Sequence, residues 1–448
     1  MCSSKVVRLI VRILFVLAFS LSMLSAQTTA PLRLSLDDAV QRGLKTNLAV
    51  LERETTSRLT RADRLRALSA LLPSVTGSVS ENVQQNNIAV FGFRFPGIPK
   101  IIGPFGYSDA RASAEMKLFD WSARRTAQAA LQNVRAADLS VQDARDLVVQ
   151  AVANAYLSII ADAARVEASR AEVDTAQALY ERARDQHAAG VSPAIDELRA
   201  QVELKSRQQQ LLANENQFAK GKLNLSQVIG LAASQPFELA DTAPYAPLEG
   251  LTPEESVERA HQSRADYQSA TAQLRAAEIS RQAAVAQRYP TLSVNGNYGA
   301  DGINFGQSHG TFAFTGEVKF NIFDGGRIRA DVAQSDAVIQ QRKDEIADLE
   351  RRIDVDVRSA LLDLRSAADQ VAVAESNLDL ANQALTQARD RFAAGVTDNI
   401  EVVQAQDAVA NAQETLIASR YAHNLAKVSL ARAVGMTEVN LKQYMGGK

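Results

Sequence analysis

Thr311-Phe312-Ala313-Phe314-Thr315-Gly316-Glu317-Val318-Lys319-Phe320-Asn321-Ile322 alternates between apolar and polar positions. Phe312, Phe314, Gly316, Val318, Phe320 and Ile322 fall on one face, with Thr311, Ala313, Thr315, Glu317, Lys319 and Asn321 on the other. A period of two over this length predicts a β-strand whose two faces meet different surroundings. Ala110, Ala112, Ala114, Met116 and Leu118 repeat the pattern, alternating with Arg111, Ser113, Glu115 and Lys117. Upstream of each, residues 74–84 and 291–298 are weaker strand candidates, entered through Pro73 and Pro290. The chain therefore offers two β-hairpins and four strands.

The two hairpins belong to a chain written twice. Arg184-Asp185 and Ala188-Ala189-Gly190-Val191 recur 205 residues later as Arg389-Asp390 and Ala393-Ala394-Gly395-Val396. The same offset carries Gly230 onto Gly435. At an offset of 217, Leu36-Asp37-Asp38-Ala39-Val40 corresponds to Pro253-Glu254-Glu255-Ser256-Val257, and Pro73 to Pro290. Residues 77–121 and 289–326 hold 14 of the 25 aromatics and 13 of the 22 glycines, so composition changes sharply at the hairpins. Their tips differ. The first carries about fifteen extra residues, including Phe91-Gly92-Phe93 and Gly103-Pro104-Phe105-Gly106, and reads as a long ordered loop. The second turns within 301–310.

The remainder predicts helix. Residues 121–187 and 327–394 contain neither Pro nor Gly, and Val134, Val141, Val148 and Ala155 recur at sevens. About 65 residues at 1.5 Å each make a rod of ~100 Å. Each rod ends at a Gly-Val turn, and the chain returns as helix to Gly230 or Gly435. Shorter helices are expected over 36–72 and 253–289, with Ser35 and Thr252 as caps. The expected division is a signal peptide at 1–26, a first repeat at 27–235, a Pro-containing linker at 236–250 and a second repeat at 251–448.

Export is legible at the N-terminus. Lys5, Arg8 and Arg12 precede an apolar run of about a dozen residues, too short to span a bilayer and ending in small residues at Ala26 or Ala30. Removing 1–26 leaves 46 basic and 51 acidic residues and takes away Cys2, the only cysteine. The mature chain then has no disulfide and no thiol chemistry. No basic excess exists to neutralise phosphates, which argues against nucleic acid as a partner.

A two-stranded hairpin is only marginally stable alone, and its apolar face needs a partner. Ten-residue strands with alternating faces match a tilted outer-membrane crossing. Backbone groups in lipid must all be paired, so the sheet must close. Four strands cannot close, which requires eight from a dimer or twelve from a trimer.

These residues resemble the TolC-like outer-membrane efflux proteins. The likeness rests on the duplication, on Leu71-Leu72-Pro73 leading into a strand, on Phe323-Asp324-Gly325-Gly326-Arg327 joining strand to rod, and on the paired Ala-Ala-Gly-Val turns. The resemblance implies a mainly α fold with β: a homotrimer with one twelve-stranded outer-membrane β-barrel, continued by a periplasmic α-helical barrel of coiled-coil helices. It implies a passive duct of a tripartite efflux or type I secretion system, working with a periplasmic adaptor and an inner-membrane pump. It also places adaptor contacts at Gly190, Val191, Ser192, Gly395, Val396 and Thr397, and a tunnel constriction at Asp196 and Glu401. The position one turn after Glu401, acidic in many members, is Gln404 here, and Thr397 stands where some carry a base. The alternatives are a periplasmic adaptor or a coiled-coil stalk protein; the first lacks its flanking β domains here, and the second does not account for the duplicated strands.

Chemical motifs are few. Gly306-Gln307-Ser308-His309-Gly310 has the spacing of a nucleophile elbow, but a strand follows where that motif needs a helix. His187, His261, His309 and His423 lack ligand spacing. Clusters such as Lys343-Asp344-Glu345 and Glu350-Arg351-Arg352 read as solvated helix faces. No enzyme, cofactor or metal is expected.

Overall fold

The computed structural model describes residues 32–444 except 93–96, 98, 242–249, 251, 395, 398 and 436. The signal peptide, Gly395 and most of the linker therefore lie outside the described residues. Among the described residues the strands are β1 (Leu32–Leu34), β2 (Ser74–Asn87), β3 (Ile101–Phe119), β4 (Phe237–Leu239), β5 (Thr291–Gly302) and β6 (Ser308–Lys319). The α-helices among the described residues are α1 (Leu36–Thr46), α2 (Leu48–Ser69), α3 (Trp121–Ala188), α4 (Ala194–Val228), α5 (Pro253–Ser263), α6 (Ala265–Ala286), α7 (Arg327–Ala393), α8 (Asn399–Val434) and α9 (Thr437–Tyr444).

The two hairpins join into one antiparallel sheet in the order β2-β3-β5-β6. Register sorts its residues into rows. Val75, Ala114, Gly296 and Phe314 lie side by side, as do Gly77, Ala112, Tyr298 and Phe312. On the opposite face the rows are Ser74, Glu115, Asn295 and Thr315, then Thr76, Ser113, Asn297 and Ala313. One face is thus apolar and the other polar across all four strands.

Three details differ from the sequence expectation. The first hairpin's extra residues largely lengthen the strands: β2 runs on to Asn87 and β3 begins at Ile101. Pro104 has no N–H to give to a ladder, and the register shift between Gln84 and Asn86 leaves it unpaired. Next, β6 ends at Lys319, so Phe320 and Ile322 lie beyond the strand, both exposed. Finally, a bulge after Lys117 sets Phe119, not Leu118, opposite Leu292.

In the first copy only Asp120 stands between strand and rod, whereas in the second residues 320–326 intervene between β6 and α7. Asp120 caps α3, accepting from the Ala123 amide at 2.9 Å and from Lys117 Nζ at 3.1 Å. Asp324 does the same for α7, accepting from the Gly326 and Ile328 amides, each at 3.0 Å. Those two amides, Ile328 first, hold its carboxyl below the usual carboxylate range.

Below the sheet, α2 packs on α3, α3 on α6, and α6 on α7. These helices flank β2, β3, β5 and β6 in chain order, so the layer continues the sheet one for one. Farther along the rods the neighbours change: α4 packs on α3, α3 on α8, and α8 on α7. Along both stretches the wall is one helix thick, while at mid-height α1, α5 and α9 pack against α3, α7 and α8. Its seams are narrow because alanine fills them, as with Ala127, Ala136, Ala144, Ala161, Ala168 and Ala176 along α3.

The principal core lies midway. Leu34, Val149, Val152, Tyr156, Leu225, Ile229 and Phe237 form one cluster, and Ile353, Val357, Leu364, Leu430 and Val434 another. The parallel pair β1–β4 sits at this level. Helix α3 has a stretch apolar and long enough to cross a bilayer, but half of it is buried within the protein.

The two short helices are each broken, contrary to expectation. Asn47 separates α1 from α2 with extended backbone (φ −69°, ψ 128°), and Arg264 separates α5 from α6 (φ −66°, ψ 120°). Each break is locked the same way. Thr46 Oγ1 donates to the Ile229 carbonyl at 2.8 Å, and Ser263 Oγ donates to that of Val434 at 2.6 Å. The residue after each carbonyl is Gly230 (φ 66°) or Gly435 (φ 87°), where a side chain would meet the hydroxyl-bearing residue. Ser35 and Thr252 cap α1 and α5 as expected.

Candidate functional site

Two surfaces and two turns carry the chemistry. On the polar face of the sheet, Arg111 is the hub. Its guanidinium donates to Asn297 Oδ1 at 2.6 Å and Thr311 Oγ1 at 3.2 Å, and faces Asp109 at 3.3 Å and Asp301 at 3.7 Å. Thr311 in turn donates to Asp301 at 2.6 Å. The cluster ties β3, β5 and β6 together through polar groups alone. The opposite face leaves Val75, Val79, Val83, Phe312, Phe314 and Val318 between 61% and 79% exposed, an apolar area too large for a surface meant for water.

Within the helical layer, side chains of α2, α3, α6 and α7 converge on a groove of about 670 Å³. A groove lined by every helix of a single layer lies on its concave side. Its lining mixes polar side chains, among them Arg53, Asp63, Asn133, Gln273 and Arg342, with alanines and Val338.

At the far end of the rods lie the turns. Gly190 has φ 71°; its amide donates to His187 O at 2.9 Å, and the Val191 amide reaches Gln186 O at 2.9 Å. This pair of bonds is a Schellman closure, which favours glycine at the left-handed position. In the second copy the Val396 amide donates to Arg391 O at 3.0 Å, the same outer bond. Val191 and Val396 are 75% and 70% exposed. His187 Nδ1 lies 3.2 Å from the Ser192 carbonyl oxygen, bracing the first turn.

Asp196 stands in the first turn of α4 with Arg199 at 3.7 Å. Glu401 occupies the first turn of α8, accepting from Arg391 Nη1 at 2.6 Å and from the Thr397 hydroxyl. The structure thus joins Thr397 to Glu401, and ties each carboxylate to an arginine of its own hairpin. Arg391 was missed by sequence reasoning because it lies ten residues away, across the turn.

A second missed group couples the two copies. Arg207 on α4 pairs with Glu172 on α3 at 3.3 Å, with Glu203 at 2.6 Å, and with Asp407 on α8. Arg165 on α3 pairs with Asp162 at 3.0 Å and with Glu414 on α8 at 2.9 Å. Burial pushes the Glu172 carboxyl up, against the pull of Arg207. Only the four-residue spacing of Glu203 and Arg207 was visible in sequence. The clusters at 343–345 and 350–352 lie on exposed helix faces, with Glu350 also accepting from Tyr267 Oη at 2.9 Å.

Comparison with known proteins gives this geometry a family. Residues 39–231 and 257–436 match the outer membrane efflux protein family, one stretch in each copy. The chain belongs to the outer membrane efflux protein family. Its relatives include outer membrane protein OprJ of Pseudomonas aeruginosa, 28% identical over 326 residues, or 68% of this chain and 65% of OprJ. The probable efflux pump outer membrane protein TtgC of Pseudomonas putida is 24% identical over 389 residues, 84% of this chain and 76% of TtgC. Among solved structures, VceC of Vibrio cholerae superposes with a TM-score of 0.76 at 18% identity, covering 89% of this chain and 96% of that one. A membrane protein from Pseudomonas aeruginosa gives 0.78 at 21% identity, covering 89% and 90%. The fold is that of the outer-membrane channels, and as an outer membrane efflux protein the chain resides in that membrane.

Proposed function

We propose that three copies of this chain form a passive outer-membrane duct of a tripartite efflux system. The observation that carries this reading is the four-stranded sheet with one apolar face and with the outer edges of β2 and β6 unpaired among the described residues. An open edge in lipid leaves backbone groups without partners, so closure across subunits is required. Twelve strands from three chains close the barrel, with the Arg111 face inward and the Phe314 face in lipid. The concave groove of the helical layer continues the lumen through the periplasm.

After loss of residues 1–26, the repeats at 27–235 and 251–448, linked by 236–250, supply pseudo-equivalent hairpins. Gly190, Val191 and Ser192, with Gly395, Val396 and Thr397, contact a periplasmic adaptor, which links the duct to an inner-membrane pump. Asp196 and Glu401 ring the narrow end, favouring cations; Arg199 and Arg391 temper that charge. The cargo is small molecules, since relatives include a toluene efflux pump protein and a pyoverdine export protein. The pump selects the cargo and supplies the energy.

The test is the protein mass of the detergent-extracted particle, corrected for bound detergent. Three chains are expected; a monomer that stays soluble without detergent overturns the reading. Cysteines replacing Val191 and Val396 should crosslink to the adaptor in cells with an assembled pump, and failure there would remove the docking assignment alone.

A further inference from the structure

The apolar rows of the sheet end in an aromatic and cationic collar. Phe119 and Trp121 stack with ring centroids 5.9 Å apart and planes 22° apart. The guanidinium carbons of Arg124 and Arg125 lie 5.4 and 5.5 Å from the Trp121 ring centroid. Spacings of three and four residues put both arginines on the Trp121 face of α3. The bulge after Lys117 determines which side of the wall this is, because it sets Phe119 beside Leu292 and Val318 on the apolar face.

The collar is short of negative charge. Arg125 donates to Gln128 Oε1 at 2.9 Å, and among the described residues neither Arg124 nor Arg125 forms an ion pair. The acid nearest in sequence, Asp120, is engaged by Lys117 and the Ala123 amide. The second strand-to-rod junction is built otherwise: Arg327 pairs with Asp331 at 3.2 Å and donates to Gln287 Oε1 at 2.7 Å. An apolar surface ending in an indole and two unneutralised guanidiniums matches the depth at which acyl chains give way to headgroups.

We propose that Phe119, Trp121, Arg124 and Arg125 bind the phosphodiester headgroup of an anionic phospholipid in the periplasmic leaflet. The acyl chains lie along Phe119, Leu292 and Val318, and the phosphate oxygens accept from the two arginines, which act as charge-assisted donors. A net-negative headgroup is preferred because two cations face it. The site rests on the reading of the sheet as membrane-spanning.

Trp121 is the only tryptophan, so its fluorescence reports on this site alone. The full chain is reconstituted in vesicles containing acyl-brominated phosphatidylglycerol or acyl-brominated phosphatidylcholine, and quenching is compared. The expected preference for the anionic lipid is about fivefold for each of the two arginines, the effect of one basic residue at a charged surface. Arg124→Gln/Arg125→Gln should abolish it, and either single change should reduce it, with particle mass unchanged. Equal quenching by the two lipids in the unaltered protein overturns the headgroup site while leaving the barrel intact. Relief of quenching by inorganic phosphate would mean an anion site not specific to lipid, and also overturns it. No quenching by either lipid would instead sink the membrane reading beneath it.

Discussion

Replacing Gly230 by alanine tests the device that locks the two halves of each repeat at mid-height. A methyl at Gly230 would stand 2.5 Å from Thr46 Oγ1 and 2.6 Å from Thr46 Cβ, far inside ordinary contact. Two costs combine. Left-handed backbone costs a non-glycine residue about 1–2 kcal/mol, partly offset by about 0.5–1 kcal/mol of unfolded-state entropy. Thr46 must also move, straining a packed site by about 1–3 kcal/mol and losing the hydroxyl bond to Ile229 O, worth about 1 kcal/mol. The expected destabilisation is roughly 3 kcal/mol. Gly190→Ala is the matched control: its φ is also left-handed, at 71°, but nothing lies within 4 Å of the added carbon, so roughly 1 kcal/mol is expected. The assay is urea-induced loss of helical circular dichroism for the purified protein in detergent. Gly435→Ala should behave like Gly230→Ala, because Ser263 Oγ would lie 2.9 Å from its methyl. Equal urea midpoints for Gly230→Ala and Gly190→Ala would refute the lock.

Phe314→Arg should block insertion at a cost of about 2–4 kcal/mol per chain, whereas Thr315→Arg, its neighbour on the polar face, should be tolerated; the fraction of protein in the outer membrane measures both. Burial, and secondarily Lys427, lowers the fully buried His423 from 6.5 to about 4. The unfolded chain therefore takes up a proton first as pH falls from 6.5 towards 4, and roughly 3 kcal/mol of stability is lost across that window. His423→Gln should flatten the urea midpoint between those pH values, and an unchanged slope would discard the assignment. Arg207→Ala leaves Glu172 and Glu203, both mostly covered, without their cation and should cost about 3 kcal/mol, read as faster amide hydrogen exchange in α4 and α8.

Legibility in the sequence followed how local the cause was. The alternation from Phe312 to Val318 was plain because adjacent residues fall on an apolar and a polar face in turn. The rods were plain because no Gly or Pro interrupts 121–187. The breaks at Asn47 and Arg264 were hidden, since neither residue forbids helix; what breaks them is contact with segments about 170–180 residues away, at Ile229 and Val434. The bulge that turns Phe119 outward arises from pairing with β5, not from its neighbours in sequence. At the turns, Gly190 and Val191 were readable from the repeat alone. The partners that fix Glu401 and Arg207 were not, because Arg391 lies across a turn and Asp407 sits on the other copy.

A layer one helix thick has a consequence for how its two surfaces communicate. A helix with its side chains is about 10–12 Å across, close to the Debye length of about 10 Å at 0.1 M salt. Charges on the outer surface therefore contribute to the potential on the inner one without any backbone movement. On the proposed reading, a protein docked outside at Val191 or Val396 would alter the field at Asp196 and Glu401 within the duct. That influence should weaken as ionic strength rises, giving the wall the character of a thin dielectric membrane folded from polypeptide.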